Sequence, residues 1–110
     1  SSGMSNFRFM RTLLMFDLPT LTAQDRRHFQ KFVKYLEKSG YIRFEKSVYM
    51  KMTLNSSQAE KVIADAKKNL PPAGIIAALT ITEKEFSGID YLLGEITSDV
   101  VSSPDRVVDL

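Results

Sequence analysis

The feature that most constrains this chain is the short segment from Leu13 to Pro19, which reads LLMFDLP. Four consecutive apolar residues indicate a strand that is buried on both faces. Pro19 cannot donate a hydrogen bond to a neighbouring strand, and it biases Leu18 towards an extended turn conformation. We therefore predict a buried central strand at about Arg11 to Asp17. The Asp17 carboxylate is expected at its carboxyl end, where the backbone leaves the sheet.

An amphipathic helix is predicted next, opening at Thr20 to Thr22. Thr22 and Asp25 have the spacing of a capping box, and Gly40 suits the left-handed position that ends a helix. Four apolar residues at helical spacing form the stripe that should face the core: Phe29, Phe32, Val33 and Leu36.

The middle of the chain alternates between strand and helix patterns. Two strands are predicted at 41–44 and 47–54, joined by a turn at Glu45-Lys46 or forming one kinked strand. The second helix follows the turn residues 55–57 and opens on a capping box of Ser57 and Glu60. Its apolar stripe is Ala59, Val62, Ile63, Ala66 and Leu70, after which Pro71-Pro72 stops the helix.

The remaining segments are shorter. Residues 75–81 form another nearly continuous apolar strand, and residues 83–86 are compatible with a single helical turn. Residues 89–93 have the pattern of a short strand or bridge, and residues 106–110 have strand composition.

The order of these elements predicts an α+β fold of the ferredoxin-like βαββαβ type, with an additional C-terminal strand. We expect the first and last strands of this core to be central, with both helices on one face of the sheet. We treat residues 4–110 as one domain in which about 95–110 form the tail strand, and residues 1–3 as a cloning remnant.

The apolar pattern of two strands predicts a homodimer. Only one face of the sheet would be covered by helices, yet residues 13–16 and 75–79 are apolar at successive positions. A second protomer on the open face would resolve this conflict. We therefore predict two sheets that face each other, with the tail strand adding to an edge, either its own or the partner's.

Composition excludes several classes of protein. The absence of cysteine excludes a disulfide framework and thiolate metal sites, and the single histidine, His28, excludes a histidine-rich zinc centre within one chain. No apolar run approaches the roughly 18 residues that a membrane-spanning helix requires. We expect a cytoplasmic protein without a membrane anchor.

The charges are distributed unevenly. Residues 1–82 hold 13 Lys and Arg against 6 Asp and Glu, whereas residues 83–110 hold 2 against 7. Within the basic part, one side of the first helix carries five cations, Arg26, Arg27, Lys31, Lys34 and Lys38. Two interpretations remain open at this point: a solvated helix face, or a surface that follows a nucleic-acid backbone.

Asp17 also has two interpretations. A carboxylate at a strand end is commonly a turn residue, but a twofold axis nearby would bring two copies together, and paired carboxylates bind Mg²⁺. No serine–histidine–aspartate set, glycine-rich phosphate loop or zinc spacing is present. His28 fits a helix boundary better than a catalytic base, and the side chains of Tyr35, Tyr41 and Tyr49 suit either packing or stacking on bases.

Several segments together resemble a known family. FDLPT after the first strand, the basic first helix, GYIRFEKSVYMKM and the terminal RVVDL are similar to the second CRISPR-associated protein, Cas-two. The resemblance covers essentially residues 4–110. The FDLPT and SVY segments most resemble members from systems with a single large effector nuclease. A ferredoxin-like RNA- or metabolite-binding module shares the fold but not these segments.

The resemblance implies a homodimer that bridges dimers of the CRISPR integrase subunit and binds double-stranded DNA during capture of new spacers. It also implies Mg²⁺-dependent endonuclease activity on RNA or DNA in some members, with Asp17 as catalytic residue and Mg²⁺ ligand. Ser47 and Tyr49 lie where the family often has Ser-Val-Phe, so the aromatic residue differs here. Nuclease activity varies within the family, which makes DNA bridging the stronger implication, with the five cations of the first helix as the DNA-binding residues.

Overall fold

The structure is a computed structural model, and it describes residues 9–95. Its strands are β1 (Met10–Asp17), β2 (Ile42–Glu45), β3 (Val48–Thr53) and β4 (Ile75–Thr82). Its helices are α1 (Ala23–Lys38), α2 (Ser56–Lys67) and the short α3 (Glu83–Ser87). The order βαββαβ confirms the predicted ferredoxin-like α+β fold.

The sheet is antiparallel throughout, with the strand order β2-β3-β1-β4. The prediction that the last strand is central is therefore wrong, because β4 forms an edge and β3 is central beside β1. The β2–β3 hairpin docks β3 on one side of β1, which leaves only the other side of β1 for β4. The prediction that β1 is central and ends at Asp17 is confirmed.

Local capping explains where α1 begins and ends. The Asp25 backbone N–H donates to the Thr22 hydroxyl (2.9 Å), and the Thr22 N–H donates to the Asp25 carboxylate (3.1 Å). This reciprocal pair is the predicted capping box. At the other end, Gly40 has φ +92°, which confirms the left-handed position predicted for it.

A different cap from the predicted one begins α2. The Asn55 side chain accepts from the Gln58 backbone N–H (2.8 Å), so the predicted Ser57–Glu60 capping box is wrong. Asparagine is among the best N-cap residues, and its position makes the helix begin two residues earlier than the predicted cap would. Leu70 lies beyond the end of α2 and is half exposed, so it does not belong to the apolar stripe.

Two further expectations are settled by the backbone. Residues 41–54 form a hairpin rather than one kinked strand, with Lys46-Ser47 at the turn in place of Glu45-Lys46. Residues 89–93 are irregular, so the strand considered there is absent from the described part of the chain. The predicted strand at 106–110 lies outside the described residues, as does the remnant at 1–3.

The main core lies between the sheet and the two long helices. Leu14 and Phe16 of β1 point to this face and pack against Phe32 and Leu36 of α1. The Phe16 ring centre lies 5.5 Å from that of Phe32 and 5.8 Å from that of Tyr49, so β1, α1 and β3 meet around one aromatic side chain. The predicted stripe of α1 is therefore the core-facing stripe.

The opposite face of the sheet, which we call the open face, is covered only in part. Segment α3 folds back under it, so that Phe86 and Phe44 pack beside Leu13 and Met50. Side chains directly paired in neighbouring strands share a face, which places four half-exposed or exposed apolar residues on it: Ile42, Met52, Ile75 and Leu79. The expectation that residues 75–79 are buried on both faces therefore does not hold within one chain.

Among the helices of the described residues, none combines the length and apolar character that crossing a bilayer requires.

Candidate functional site

Asp17 is the last residue of β1 and is exposed. It pairs with Ile75 of β4, and Leu13 and Met15 precede it at two-residue intervals. Alternation along the strand therefore assigns the Asp17 side chain to the open face, away from α1 and α2. The carboxylate lies beside the apolar residues that a second copy is predicted to cover.

The backbone around Asp17 is held tightly by a residue that sequence reasoning missed. Gly74 has φ +108°, and a Cβ built on it would lie 2.8 Å from the Asp17 carbonyl oxygen and 2.6 Å from Cδ2 of Leu18. Only glycine fits this close approach. The signal available in the sequence was a glycine two residues after Pro71-Pro72, directly before an apolar strand. Gly74 thus fixes how β4 begins against the end of β1.

One chain alone offers Asp17 few partners for metal binding. Residues 9–95 contain no group of three or more His, Cys, Asp or Glu side chains close enough to hold an ion. Mg²⁺ in proteins is commonly held by one or two carboxylates and several waters. An exposed strand-end carboxylate therefore fits a Mg²⁺ ligand as one member of a pair, which requires a second chain.

The outer side of α1 carries the predicted cations. Arg27, Lys31, Lys34 and Lys38 are all exposed, and together they line a shallow depression of about 550 Å³. Within the described part of the chain, the salt bridge that is found joins Arg11 to Glu83. No carboxylate there lies within 4.0 Å of the charged groups of these four residues. We call these four residues the basic row.

Arg26 differs from the basic row. Its guanidinium donates to the backbone carbonyls of Thr20 (3.1 Å) and Leu21 (3.3 Å), so it closes the loop between β1 and α1. The structure thus gives Arg26 a local structural contact, in addition to the nucleic-acid contact predicted for it.

The basic row and Asp17 lie on opposite sides of the molecule. Phe32 and Leu36 on the inner side of α1 pack against the sheet, so the basic row on the opposite side faces outwards. Asp17 belongs to the open face, on the other side of the sheet. A nucleic acid held on the basic row of one chain is therefore separated from the Asp17 of that chain by the thickness of the sheet and helix.

The aromatic residues considered for stacking are mostly structural. Tyr49 is 4% exposed and packs its ring on Phe16, and Tyr41 is 6% exposed. Tyr35 donates from its hydroxyl to Asp65 (2.5 Å), which ties α1 to α2. Burial, and then this hydrogen bond, raises the pKa of Tyr35 to about 12.

Ser47 and His28 also have defined positions. The Ser47 carbonyl accepts from the Phe16 backbone N–H (3.0 Å), so the β2–β3 turn is fastened to β1 one residue before Asp17. His28 lies within the first half of α1 and is half-buried, and it lines a groove with Pro71 and Pro72.

The strand order, the two long helices on one face and the basic outer row define a small ferredoxin-like α+β protein with a basic helix surface. The family model described as "CRISPR associated protein Cas2" matches residues 10–89. Since this match spans more than half of the chain, the protein belongs to the CRISPR-associated Cas2 family.

Curated relatives support the same family, each under the name "CRISPR-associated endoribonuclease Cas2". A Treponema denticola protein is 38% identical over 101 residues, which is 92% of this chain and 100% of the relative. A Streptococcus mutans protein is 45% identical over 101 residues, which is 92% of this chain and 93% of the relative. A Ligilactobacillus salivarius protein is 34% identical over 101 residues, or 92% and 100% of the two chains. The predicted family resemblance is confirmed.

Proposed function

We propose that this protein is a CRISPR adaptation subunit: a homodimer that binds double-stranded DNA through α1 and bridges dimers of the CRISPR integrase subunit during spacer capture. The basic row is the observation that carries this proposal. Cations in such a row bind phosphates irrespective of base sequence, and their contribution decreases as salt is added. A subunit that handles new spacers needs this kind of contact, because spacer sequences differ.

The dimensions of the basic row suit a duplex. Arg27 and Lys38 are eleven residues apart, which corresponds to about 16 Å of helix axis. This is about half of one turn of B-form DNA. A twofold axis would repeat the row in the second protomer, so a dimer would offer cations over a longer stretch of duplex.

Two other surfaces support the remaining parts of the proposal. The open face exposes Ile75 (69%) and Leu79 (50%) on an edge strand, which a second copy would bury. Residues 83–110 are acidic, with 7 Asp and Glu against 2 Lys and Arg, which suits contact with a protein such as the integrase subunit better than with DNA.

The basic row is tested by reversing two of its charges, Lys31→Glu and Lys34→Glu, in one variant. Binding of a 30-base-pair duplex is measured by fluorescence anisotropy at several salt concentrations. We expect at least about tenfold weaker binding near 0.1 M salt, and a salt dependence that falls by about two ion equivalents. Unchanged affinity would contradict the assignment of this face.

The control variant makes the same change in charge away from α1. Lys46 in the β2–β3 turn and Lys84 in α3 are both exposed. Lys46→Glu with Lys84→Glu should weaken binding only by the general effect of net charge, so the difference between the two variants measures the contribution of the basic row.

A second candidate function is Mg²⁺-dependent endoribonuclease activity, as the names of the relatives suggest. The observation that favours it is the exposed Asp17 carboxylate on the face that a second copy would cover. Two copies of Asp17, one from each protomer, would hold the ion. When bound there, Mg²⁺ supplies a Lewis acid and activated water for phosphodiester hydrolysis. The contribution of this chain is to hold each carboxylate rigidly at the strand end, through Gly74 and the paired strands.

We expect Asp17→Ala to abolish Mg²⁺-dependent cleavage of labelled RNA or DNA while leaving the oligomeric state and the duplex affinity unchanged. Asp90→Ala, which removes another exposed carboxylate, is the matched control and should cleave as the unmodified protein does. Full activity of purified Asp17→Ala would assign the cleavage to another site or to a contaminant.

A further inference from the structure

A small pocket lies where the C-terminal end of α1, the residue before β2, Lys51 of β3 and one side of α2 meet. Its volume is about 180 Å³. Seven of its lining residues carry side chains that can donate or accept hydrogen bonds: Tyr35, Ser39, Tyr41, Lys51, Gln58, Lys61 and Asp65. We call it the Tyr41 pocket. None of the functions discussed above uses it.

The Tyr41 hydroxyl is the feature that calls for a ligand. Tyr41 is 6% exposed, and its hydroxyl oxygen is buried without a hydrogen-bond partner in the described part of the chain. A buried polar group left unpaired costs stability, so native proteins rarely retain one without a reason. Burial raises the pKa of Tyr41 above its ordinary value, so the hydroxyl keeps its proton and remains a donor.

Two lysines add charge to the same pocket. The Lys51 amine donates to the Ser39 carbonyl at the end of α1 and lies 5.7 Å from the centre of the Tyr41 ring. An ammonium group has three N–H donors, so two remain for another acceptor. Lys61 is exposed on α2. The carboxylate of Asp65 is partly satisfied, because one of its oxygens accepts from the Tyr35 hydroxyl.

We propose that the Tyr41 pocket binds a phosphate group, with the Tyr41 hydroxyl and the amines of Lys51 and Lys61 as donors. The volume has room for about six water-sized groups. A tetrahedral oxyanion has five heavy atoms and fits this volume. This binding requires the buried Tyr41 hydroxyl to become accessible from the pocket, so that a phosphate oxygen becomes its partner.

The phosphate has two sources, an inorganic ion or the backbone of a nucleic acid. Tyr35 lines both the Tyr41 pocket and the depression of the basic row, and Lys38 directly precedes Ser39. A strand lying on α1 would therefore reach the pocket at the C-terminal end of the helix. The backbone source rests on the proposed function, whereas the inorganic source does not.

The test is a titration of ¹⁵N-labelled protein with inorganic phosphate at constant ionic strength, with chloride as the reference anion. We expect saturable shifts of the backbone amides of Gly40, Lys51 and Lys61. A second titration uses a short duplex. If the duplex shifts the same amides and inorganic phosphate competes with it, the backbone is the source. If only inorganic phosphate shifts them, the free ion is the ligand. Absence of saturable shifts in both titrations overturns the proposal.

Tyr41→Phe separates a binding role from a structural one. We expect at least fivefold weaker phosphate binding, together with a thermal midpoint in phosphate-free buffer that is unchanged or higher, because an unpaired buried hydroxyl is removed. Tyr91→Phe, on an exposed tyrosine, is the matched control. Unchanged phosphate affinity, or a lower midpoint without phosphate, would show that the hydroxyl serves only the fold and would overturn the proposal.

The two lysines of α2 provide a second matched pair. Lys61→Gln should weaken phosphate binding at least threefold, whereas Lys67→Gln, an exposed lysine of the same helix outside the pocket, should not. Asp65→Asn removes the opposing charge and should strengthen it. If the duplex fails to bind α1, the phosphate titration still reports on the pocket, so failure of the proposed function and failure of this inference are distinguishable.

Discussion

Arg11 shows how one side chain organises the open face. Its guanidinium donates two hydrogen bonds to the Glu83 carboxylate, both of 2.7 Å, and lies 4.0 Å from the centre of the Phe86 ring. Bidentate pairing of this kind is stronger than a single ion contact, and the ring adds a cation–π interaction. Arg11 therefore fastens α3 to the sheet, over Leu13 and Met50.

A double-mutant cycle with Arg11→Met and Glu83→Gln should give a coupling energy of about 1 kcal/mol. The value is this small because the Glu83 side chain is partly exposed and solvent screens the pair. The cycle is measured by urea unfolding at pH 7. Glu60→Gln, which removes an exposed carboxylate of α2, should show no coupling with Arg11→Met.

The same pair predicts a pH dependence. The hydrogen bonds from Arg11 lower the pKa of Glu83 below its ordinary value of 4.5, so folding favours the ionised form. The stability that this pair contributes is present above the unfolded pKa and is lost as pH falls through the folded pKa. The difference in unfolding free energy between the unmodified protein and Glu83→Gln should therefore shrink below pH 4. A difference that persists there would contradict the pairing.

At the scale of elements, the junction between β1 and β4 depends on Gly74. Replacement by alanine places a Cβ against Leu18 and the Asp17 carbonyl while holding a non-glycine residue at φ +108°. We expect Gly74→Ala to destabilise the fold by about 2–4 kcal/mol. Gly88→Ala is the control, because Gly88 has φ −88° and the nearest atom to its added Cβ is at 3.5 Å. Equal stability of the two variants would contradict the tight contact.

The sequence predicted most elements but not all of their places. The period of the apolar residues in α1 and the run before Asp17 are local signals, and both predictions are confirmed. The place of β4 in the sheet depends on which side of β1 remains free, and no local sequence pattern predicts that. The two helix caps show the same difference. The spacing of Thr22 and Asp25 predicted the cap of α1, whereas Asn55 and Ser57 are both good N-cap residues and the structure uses Asn55 for α2.

The candidate site was predictable in part for the same reason. The position of Asp17 at a strand end follows from Pro19 and the apolar run. Neither the contact with Gly74 nor the separation of Asp17 from the basic row follows from spacing, because both depend on how distant segments meet across the sheet.

At the scale of the whole molecule, the exposed apolar residues of the open face predict the effect of a charge placed there. Leu79→Asp should convert the proposed dimer into a monomer, because an unpaired carboxylate would be buried between the two sheets. Light scattering with size-exclusion chromatography measures the mass. Leu21→Asp is the control, since Leu21 is 89% exposed in the loop before α1 and should leave the mass unchanged.

A monomeric mass for the unmodified protein in dilute solution would contradict the dimer directly. It would also remove the paired arrangement of Asp17, and with it the second candidate function. Duplex binding through the basic row would survive that result, because the basic row is complete within one chain.

The pairing of β1 with β4 also determines the order in which the molecule can fold. Met10 lies opposite Thr82, so β1 gains β4 as its second neighbour only after all the residues between the two strands have been made. Closing a loop of that length is slow compared with forming a helix or a hairpin. Until β4 is made, α1 and β3 can already pack against β1, but the edge of β1 that pairs with β4 stays unpaired. For a nascent chain, that interval is when chaperones or misfolding would act.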